Sequence, residues 1–438
     1  MAKAFRPYFP DQEFLLPPRL RDWLPEDHLA YFVSDVVDQL ELTRIYAVYG
    51  DEQRGQPPYD PQMMTKLLFY SYCIGVYSSR RIQRRLKEDI GFRVLAAGNE
   101  PDFRTISDFR KIHLEALKAL FEQFLKMALE AGAMKVGRVA LDGTKVKANA
   151  SKHKAMSYDR MNEKEEEIRA EVRELLEKAA AADAGEDADY ADRVGDELPA
   201  ELQRKERRLA KIQAAKRALE ERTRQKAEAE GKCEAEVKKA QPADKDQYNF
   251  SDPESRVMKG SDGFVQAYNA QIAVESEFQF IVGQTVTQAA NDKEQVEPMV
   301  EAVEQQSGQR PEELLADNGY CSEKNLESLD SDKQPEKQMD AYIAAGRQKH
   351  GERRMPCKRG PLPKGATRVD RMRRKLQTKV GAAVYAARQG IVEPVFGQIK
   401  QARGFRQFLL RGLKKVQGDW ALVCLTHNIL KLHRICYG

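Results

Sequence analysis

The chain has 438 residues, 32% of them charged, with a net charge of +5, and is long enough for two or three domains with a buried core. No apolar run approaches the roughly 18 residues of a membrane span, and residues 1–10 lack the apolar segment of a secretory signal. The six cysteines form no Cys-x-x-Cys pair and the six histidines no His-x-x-x-His pair, so we expect a soluble cytoplasmic protein without a zinc site or a disulfide framework.

Residues 1–130 carry apolar side chains at the three- and four-residue spacing of helices. Four arginines crowd two turns of one predicted helix: Arg80, Arg81, Arg84 and Arg85. Short helices with basic first turns are typical of a helix-turn-helix-like DNA-binding domain. A helical bundle with a basic, solvated face is the alternative.

Residues 136–150 change in character and predict a strand, because an apolar run is followed by alternation. Asp142 ends the apolar half of this run and is followed by Gly143. An aspartate at the end of a strand is usually a turn former, but a metal site for phosphate chemistry uses the same placement.

Residues 151–247 predict a helical insertion. Residues 161–180 and 202–229 are rich in Glu, Lys, Arg and Ala, and the second segment has apolar residues at heptad spacing. The acidic stretch 180–199 between them predicts a loop. We expect an antiparallel helical hairpin, with a dimerising coiled coil as the alternative.

Strands return at residues 263–274 and 278–287, which predict a hairpin. Asn291 and Asp292 are expected to cap the next helix. Asp292 is also the substitute candidate for a carboxylate of the metal site. Residues 311–316 predict a short strand that ends at Asp317, and residues 341–344 predict a last strand.

The C-terminal part is strongly basic: residues 347–434 hold 22 lysines and arginines against four acidic residues. Such a block, with interleaved aromatic residues, predicts binding to a polyanion. One of the four acids is Glu393, on a predicted helix with Pro394 in its first turn. Lys400 lies two turns later, so a continuous helix would turn both the same way.

This order of elements is compatible with a mixed sheet covered by helices. It would bring Asp142 and Asp317 together with Glu393. Three neighbouring carboxylates repel one another unless cations neutralise them, and hard oxygen ligands select Mg²⁺ or Mn²⁺. An ordinary salt bridge is the alternative for Glu393.

Three stretches resemble the DDE-type transposases of bacterial insertion sequences. They are A-L-D-G-T at Asp142, L-L-A-D-N-G-Y at Asp317, and V-E-P-V-F-G-Q-I-K at Glu393 and Lys400. Residues 78–82 and 101–110 are similar to the N-terminal region of that family. The resemblance implies a ribonuclease-H-like domain that uses two Mg²⁺ ions, held by these three carboxylates, to cleave and transfer strands at terminal inverted repeats. It also implies double-stranded DNA as partner and a homodimer or higher oligomer.

The chain departs from the family in two ways. The related signature has three residues between Arg and Glu, but four separate Arg388 from Glu393. Helical geometry therefore puts Arg388 about 140° from the face of Glu393, unless Gly390 kinks the helix. Some relatives insert a domain with a base-stacking Trp, whereas the tryptophans here are Trp23 and Trp420, so a flipped-base step is not supported.

The predicted fold is thus mixed, α+β or α/β. A helical DNA-binding domain covers 1–130, a ribonuclease-H-like domain covers 131–150 and 248–438, and the helical insertion covers 151–247. We predict a nucleoid-associated protein with these DNA-contacting residues: Arg80, Arg81, Arg84, Arg85, Lys358, Arg359, Arg373, Arg374, Tyr385, Arg388, Lys400, Arg403 and Arg406. A catalytically inactive DNA-binding derivative and a ribonuclease-H-like nuclease are the alternative functions.

Overall fold

A computed structural model describes residues 19–49, 57–186, 200–260, 263–329, 339–346, 360, 362–363 and 365–438. The N-terminal helices are α1 (Leu29–Gln39), α2 (Thr43–Tyr46), α3 (Pro61–Cys73), α4 (Ser79–Glu88), α5 (Ile90–Leu95), α6 (Phe103–Ile112) and α7 (Leu114–Glu130). The main sheet contains β1 (Arg138–Lys147), β4 (Arg256–Gly260), β5 (Gly263–Glu275), β6 (Ile281–Thr287), β7 (Glu313–Ala316) and β8 (Asp340–Ile343). A small pair, β2 (Ala155–Ser157) and β3 (Gln247–Asn249), lies apart from it.

The remaining helices are α8 (Tyr158–Glu186), α9 (Ala200–Ala229), α10 (Glu234–Lys239), α11 (Val296–Ser307), α12 (Glu323–Ser328), α13 (Arg368–Gln377), α14 (Lys379–Gly397) and α15 (Leu413–Tyr437). A π-helical turn, Gln398–Ala402, continues α14. The structure is therefore mixed helix and sheet with a helical N-terminal region, as the sequence predicted. Within the described ranges, no helix is long and apolar enough to cross a membrane.

Strand β1 lies in the middle of the sheet. It is antiparallel to β5 on one side and parallel to β7 on the other, and β8 is parallel to β7. Strands β4 and β6 pair in turn with the two halves of β5. The predicted hairpin is confirmed by the antiparallel pairing of β5 with β6.

The register of β1 against β7 is set by packing and by charge. Ala140 pairs with Leu315, and both side chains are fully buried. At the start of the strands, Arg138 pairs with Glu313, and its Nε lies 2.5 Å from the Glu313 carboxylate. A slip of one residue would turn the apolar side chains away from the core and separate this ion pair.

The helical N-terminal region shares one apolar core with the sheet and with α15. Buried polar contacts cross the same boundary: the Tyr72 hydroxyl on α3 donates to the Asp419 carboxylate on α15, and Arg110 donates to Tyr72 at 3.0 Å. Such buried contacts fix the packing of α3 and α6 on α15. The domain boundary near residue 130 stays a prediction, and the core runs across it.

Helices α8 and α9 pack antiparallel to each other. Their ion pairs run in opposite chain directions, with Lys216 3.1 Å from Glu165 and Lys205 3.4 Å from Glu171. The apolar seam between them contains Met161, Ile168, Ile212 and Leu219. Helix α8 extends to Glu186, beyond the end predicted at residue 180, because the Ala-rich sequence there favours helix. That this segment forms a separate domain stays a prediction.

The prediction that Pro394 starts a helix is wrong, because Pro394 lies inside α14. A proline has no N–H for the carbonyl four residues earlier, which here belongs to Gly390. The side chain of Gln279, in the turn between β5 and β6, donates to that carbonyl at 2.8 Å. Helix α14 tolerates the proline because its vacated acceptor is satisfied from the sheet.

Candidate catalytic site

Asp142 and Asp317 occupy equivalent positions on neighbouring parallel strands. Each lies two residues beyond the last β1–β7 pair, Ala140 with Leu315. Because side chains alternate with a period of two, this register brings both carboxylates to the same end and the same side of the sheet. Asp142 lies within β1, still paired with β5, and so does not end a strand as predicted. Asp317 follows β7 directly, and its Oδ1 accepts from the Gly319 N–H at 2.8 Å.

Asp142 is electrostatically perturbed. The pKa of its carboxyl is raised to about 6, mainly by burial; Arg388 opposes the shift, and the charges of Asp317 and Asp292 contribute to it. Its Oδ1 accepts a hydrogen bond from the Gly143 N–H at 2.8 Å. Such crowding of like charges is common at functional sites.

Asp292 is the third aspartate of this region. The prediction that it caps the following helix is wrong, because α11 begins after Gln295. Instead, its Oδ1 accepts from the side-chain amides of Asn269 and Gln271, each at 2.6 Å. Both amides project from β5, and they hold the Asp292 carboxylate against the sheet.

Two glycines allow this close approach. A Cβ on Gly143 would lie 2.8 Å from Asp292 Oδ1, and a Cβ on Gly319 would lie 2.9 Å from Asp317 Oδ1 and 3.5 Å from Asp292 Oδ2. Larger residues would therefore push the carboxylates away from the strand ends. The Gly319 position also shows that Asp292 and Asp317 are near neighbours.

Glu393 is separated from the aspartates by Arg388. The Arg388 Nη1 lies 3.7 Å from Asp142 Oδ2, and its Nη2 lies 4.0 Å from Glu393 Oε1. Arg388 is 8% exposed, whereas the Glu393 side chain is 58% exposed. Arg388 thus lies on another face of α14, as the spacing predicted, yet its guanidinium reaches both acids. Helix α14 is continuous through Gly390, so no kink is involved.

Lys400 points towards β1. Its Nζ donates to the Thr144 hydroxyl, one strand position from Lys145, while Glu393 faces solvent. The π-helical turn that contains Lys400 interrupts the α-helical periodicity, so the two residues do not face the same way. Burial lowers the pKa of Lys400, and the charge of Arg406 adds to this effect.

The donor chemistry of this site fits a hard divalent cation. Carboxylate oxygens are the preferred ligands of Mg²⁺, and the mutual repulsion of Asp142, Asp292 and Asp317 is what such a cation relieves. Across the described residues, no group of three or more His, Cys, Asp and Glu side chains is gathered closely enough to hold a metal ion. The convergence of Asp142, Asp317 and Glu393 on one ion stays a prediction.

The four N-terminal arginines of the prediction lie on α4, and all of them are exposed. Arg84 pairs with Glu88 at 2.7 Å, and the Arg80 guanidinium lies 4.9 Å from the centre of the Phe103 ring on α6. Arg81 and Arg85 complete a basic face on this short helix. The arrangement leaves the guanidinium groups accessible to a phosphate backbone.

Arg403 does not fit the predicted DNA surface. It is 7% exposed and donates to the Tyr72 and Val423 carbonyls at 3.2 and 3.0 Å and to the Thr426 hydroxyl at 2.5 Å. Its guanidinium is used to join α3 to α15. We therefore correct the prediction for Arg403, whose role here is structural.

The other predicted C-terminal contacts are placed as follows. Arg406 and Arg373 are exposed, and Arg374 and Tyr385 are partly buried. Arg388 is buried beside Asp142, as described above. Lys358 and Arg359 lie outside the described residues.

Sequence reasoning missed Gln271, the centre of the polar network below the aspartates. Its side chain is fully buried, donates to Asp292 and accepts from the Tyr320 hydroxyl. Its backbone carbonyl accepts from the Trp420 indole N–H at 3.2 Å. Its position between the apolar residues Ala270 and Ile272 of a predicted strand was the available signal. Buried amides of this kind are retained where they have partners.

Comparison with known families gives two matches, one at each end of the chain. Residues 18–112 match the family described as Transposase domain (DUF772), and residues 335–433 match the family described as Transposase DDE domain. The second match contains Arg388, Glu393 and Lys400. Comparison with curated proteins and with solved structures gave no match. Both matches are to transposase families, and together they support a DDE transposase of the insertion-sequence type.

Proposed function

We propose that this transposase binds the terminal inverted repeats of its own insertion sequence and catalyses DNA cleavage and strand transfer. In this proposal, Asp142, Asp317 and Glu393 are the catalytic carboxylates of a ribonuclease-H-like domain. The observation that carries it is the equivalent register of Asp142 and Asp317 on the parallel strands β1 and β7. The six-stranded sheet supports the assignment: β1, β4, β5 and β6 pair antiparallel, β7 and β8 extend it in parallel from β1, and helix α14 packs across it.

Bound divalent cations would supply charge neutralisation at the reacting phosphate and activation of the attacking oxygen. The aspartates would hold these cations, with Glu393 completing the donor set. A positively charged side chain of the protein would also contact the phosphate. Arg388, with no hydrogen-bond partner for Nε or Nη1 within the described part of the chain, is available to hold a phosphate oxygen beside Asp142.

The basic face of α4 and the exposed arginines of the C-terminal block would bind the DNA backbone. Phosphate contacts of this kind set the position of the protein on the duplex. Pairing of two ends requires at least two copies of the chain, so we propose a homodimer or a higher oligomer.

The experiment is a cleavage assay on paired inverted-repeat ends with Mg²⁺ or Mn²⁺. Asp142→Asn and Asp317→Asn should each reduce cleavage by several orders of magnitude, because charge neutralisation at the phosphate supplies much of the catalysis in phosphoryl transfer. Asp340→Asn is the matched control, since Asp340 lies at the opposite end of the parallel strands and pairs with Lys375. Parental cleavage by Asp142→Asn would exclude the proposed site.

A DNA-binding protein without catalysis is the second candidate. It is favoured by one observation, the exposed position of Glu393 on the far side of Arg388. Under this alternative, the parent chain would bind inverted-repeat ends but would leave them uncut at every concentration of Mg²⁺ or Mn²⁺.

A further inference from the structure

Lys145 lies in this region and has no role in the proposed function. It follows Asp142 by three positions on β1 and pairs with Asn269 on β5. Its side chain is 17% exposed, which is low for a lysine, and its Nζ lies 3.5 Å from Asp292 Oδ1. The ammonium group is therefore held inside the site and not on the protein surface.

The strand geometry explains how Lys145 meets Asp292. Residues 143 and 145 lie on the same side of β1, because side chains alternate along a strand. A glycine at 143 leaves the space in which the Asp292 carboxylate lies. Asn269 and Gln271 hold that carboxylate from the neighbouring strand. Lys145 thus faces an anion whose position is fixed by other residues.

Asp292 is not the only negative charge near Lys145. Burial lowers the pKa of its ammonium group, whereas the charges of Asp292, Asp142 and Asp317 act in the opposite direction. Arg388 is likewise a cation among carboxylates, because its guanidinium lies between those of Asp142 and Glu393. The carboxylates of the region are thus accompanied by the internal cations Lys145 on β1 and Arg388 on α14, with Lys400 beside Thr144.

We propose that Lys145 is a positioning residue that acts as the internal counter-cation of the aspartate cluster when no divalent cation is bound. Without it, three neighbouring carboxylates would repel one another. A divalent cation that binds the same carboxylates competes with the ammonium group for them. This inference rests on the proposed metal-dependent site and adds to it a determinant of metal affinity.

The test is isothermal titration of the full-length protein with Mn²⁺ in the absence of DNA. Lys145→Met removes the charge and retains most of the volume, and it should tighten Mn²⁺ binding by roughly tenfold, because a competing positive charge is lost. Lys145→Arg retains the charge and should bind Mn²⁺ like the parent. Lys259→Gln, an exposed lysine on β4 of the same sheet, controls for the change in net charge.

Every outcome of these binding measurements supports or overturns the counter-cation role of Lys145. Unchanged or weaker Mn²⁺ binding by a Lys145→Met protein that melts like the parent would overturn the inference. A loss of DNA affinity in chelator, with Mn²⁺ affinity unchanged, would also overturn it and make Lys145 a phosphate contact. If Lys145→Met does not fold, Lys145→Gln is measured in its place against the same criteria.

The variant Asp142→Asn tests the proposed metal site independently of the role of Lys145. If this variant binds Mn²⁺ like the parent, the proposed metal site itself is wrong. If it binds Mn²⁺ more weakly while Lys145→Met does not bind more tightly, the site stands and the counter-cation role alone fails.

Discussion

The Arg388 guanidinium on α14 lies 3.7 Å from the Asp142 carboxylate on β1. The same group lies 4.0 Å from Glu393, so one buried side chain connects the strand carboxylate to the helix carboxylate. The positive charge of Arg388 attracts both carboxylates, and its guanidinium group lies between them.

Glu393→Gln should separate catalysis from DNA binding. The substitution retains the shape of the side chain and removes one negative charge from a site that must approach a polyanion. In chelator, affinity for inverted-repeat ends should stay level or rise slightly, because repulsion is reduced. Cleavage with Mg²⁺ should fall by several orders of magnitude. Gel shifts and cleavage assays on the same DNA measure both, with Glu297→Gln, an exposed carboxylate on α11, as control. Parental cleavage would reduce Glu393 to a surface residue.

The raised pKa of Asp142 predicts a pH dependence of stability. The folded chain holds the proton of this carboxyl up to about pH 6, whereas the usual value is 3.8. The folded state therefore binds more protons than the unfolded state between these values, and the free energy of unfolding should fall as pH rises from about 4 to 6. The change should be at most about 3 kcal/mol. Denaturant unfolding of the metal-free protein measures it. The slope should be smaller in Asp142→Asn than in the control Asp340→Asn, and equal slopes would contradict the assignment.

Arg403 should contribute to the stability of the fold, whereas Arg406 should contribute to DNA binding. Arg403→Leu removes a buried donor to the Tyr72 and Val423 carbonyls and the Thr426 hydroxyl, and it should destabilise the protein by several kcal/mol. Arg406→Leu, at an exposed position, should leave the melting temperature within a degree or two and should weaken binding to all DNA sequences. Thermal melting and gel shifts at several salt concentrations compare the two variants. The structural role of Arg403 would be refuted by an unchanged melting temperature.

Gln279 and Pro394 should be energetically coupled. Gln279→Ala removes the donor to the Gly390 carbonyl and should cost about 1 kcal/mol in the parent. With Pro394→Ala in place, the backbone N–H at 394 takes over that carbonyl, so the same substitution should cost much less. A double-mutant cycle of unfolding free energies measures the coupling. Strict additivity would show that Gln279 does not compensate for the proline.

The exposed arginines of α4 should contribute to DNA-end recognition. Deleting the N-terminal region is a poor test, because α3 and α6 share the core of the catalytic part. The combined change Arg81→Gln and Arg84→Gln should instead reduce affinity for the inverted repeat more than affinity for unrelated DNA. The salt dependence should weaken by about one unit for each lost phosphate contact. Lys126→Gln, an exposed position on α7, is the control. Equal losses on both DNAs would limit α4 to non-specific binding.

The sequence was sufficient for the main elements and for the expectation that Asp142 and Asp317 lie close together. Alternating and apolar runs identified β1, β5, β6 and β7, because strand periodicity is local information. These features depend on neighbouring residues along the chain, which is why the sequence reveals them.

Other features required the tertiary structure. The capping prediction for Asp292 failed because two amides from β5, more than twenty residues earlier, bind its carboxylate better than a free helix end does. Arg403 carries the same charge as Arg406 in the sequence, but the packing of α3 on α15 buries it. Pro394 was assigned to a helix start because its distant partner, Gln279, is invisible to local rules. Sequence thus determined which residue types were available at the site, and long-range contacts decided which charges face each other, because burial and pairing depend on residues that are distant along the chain.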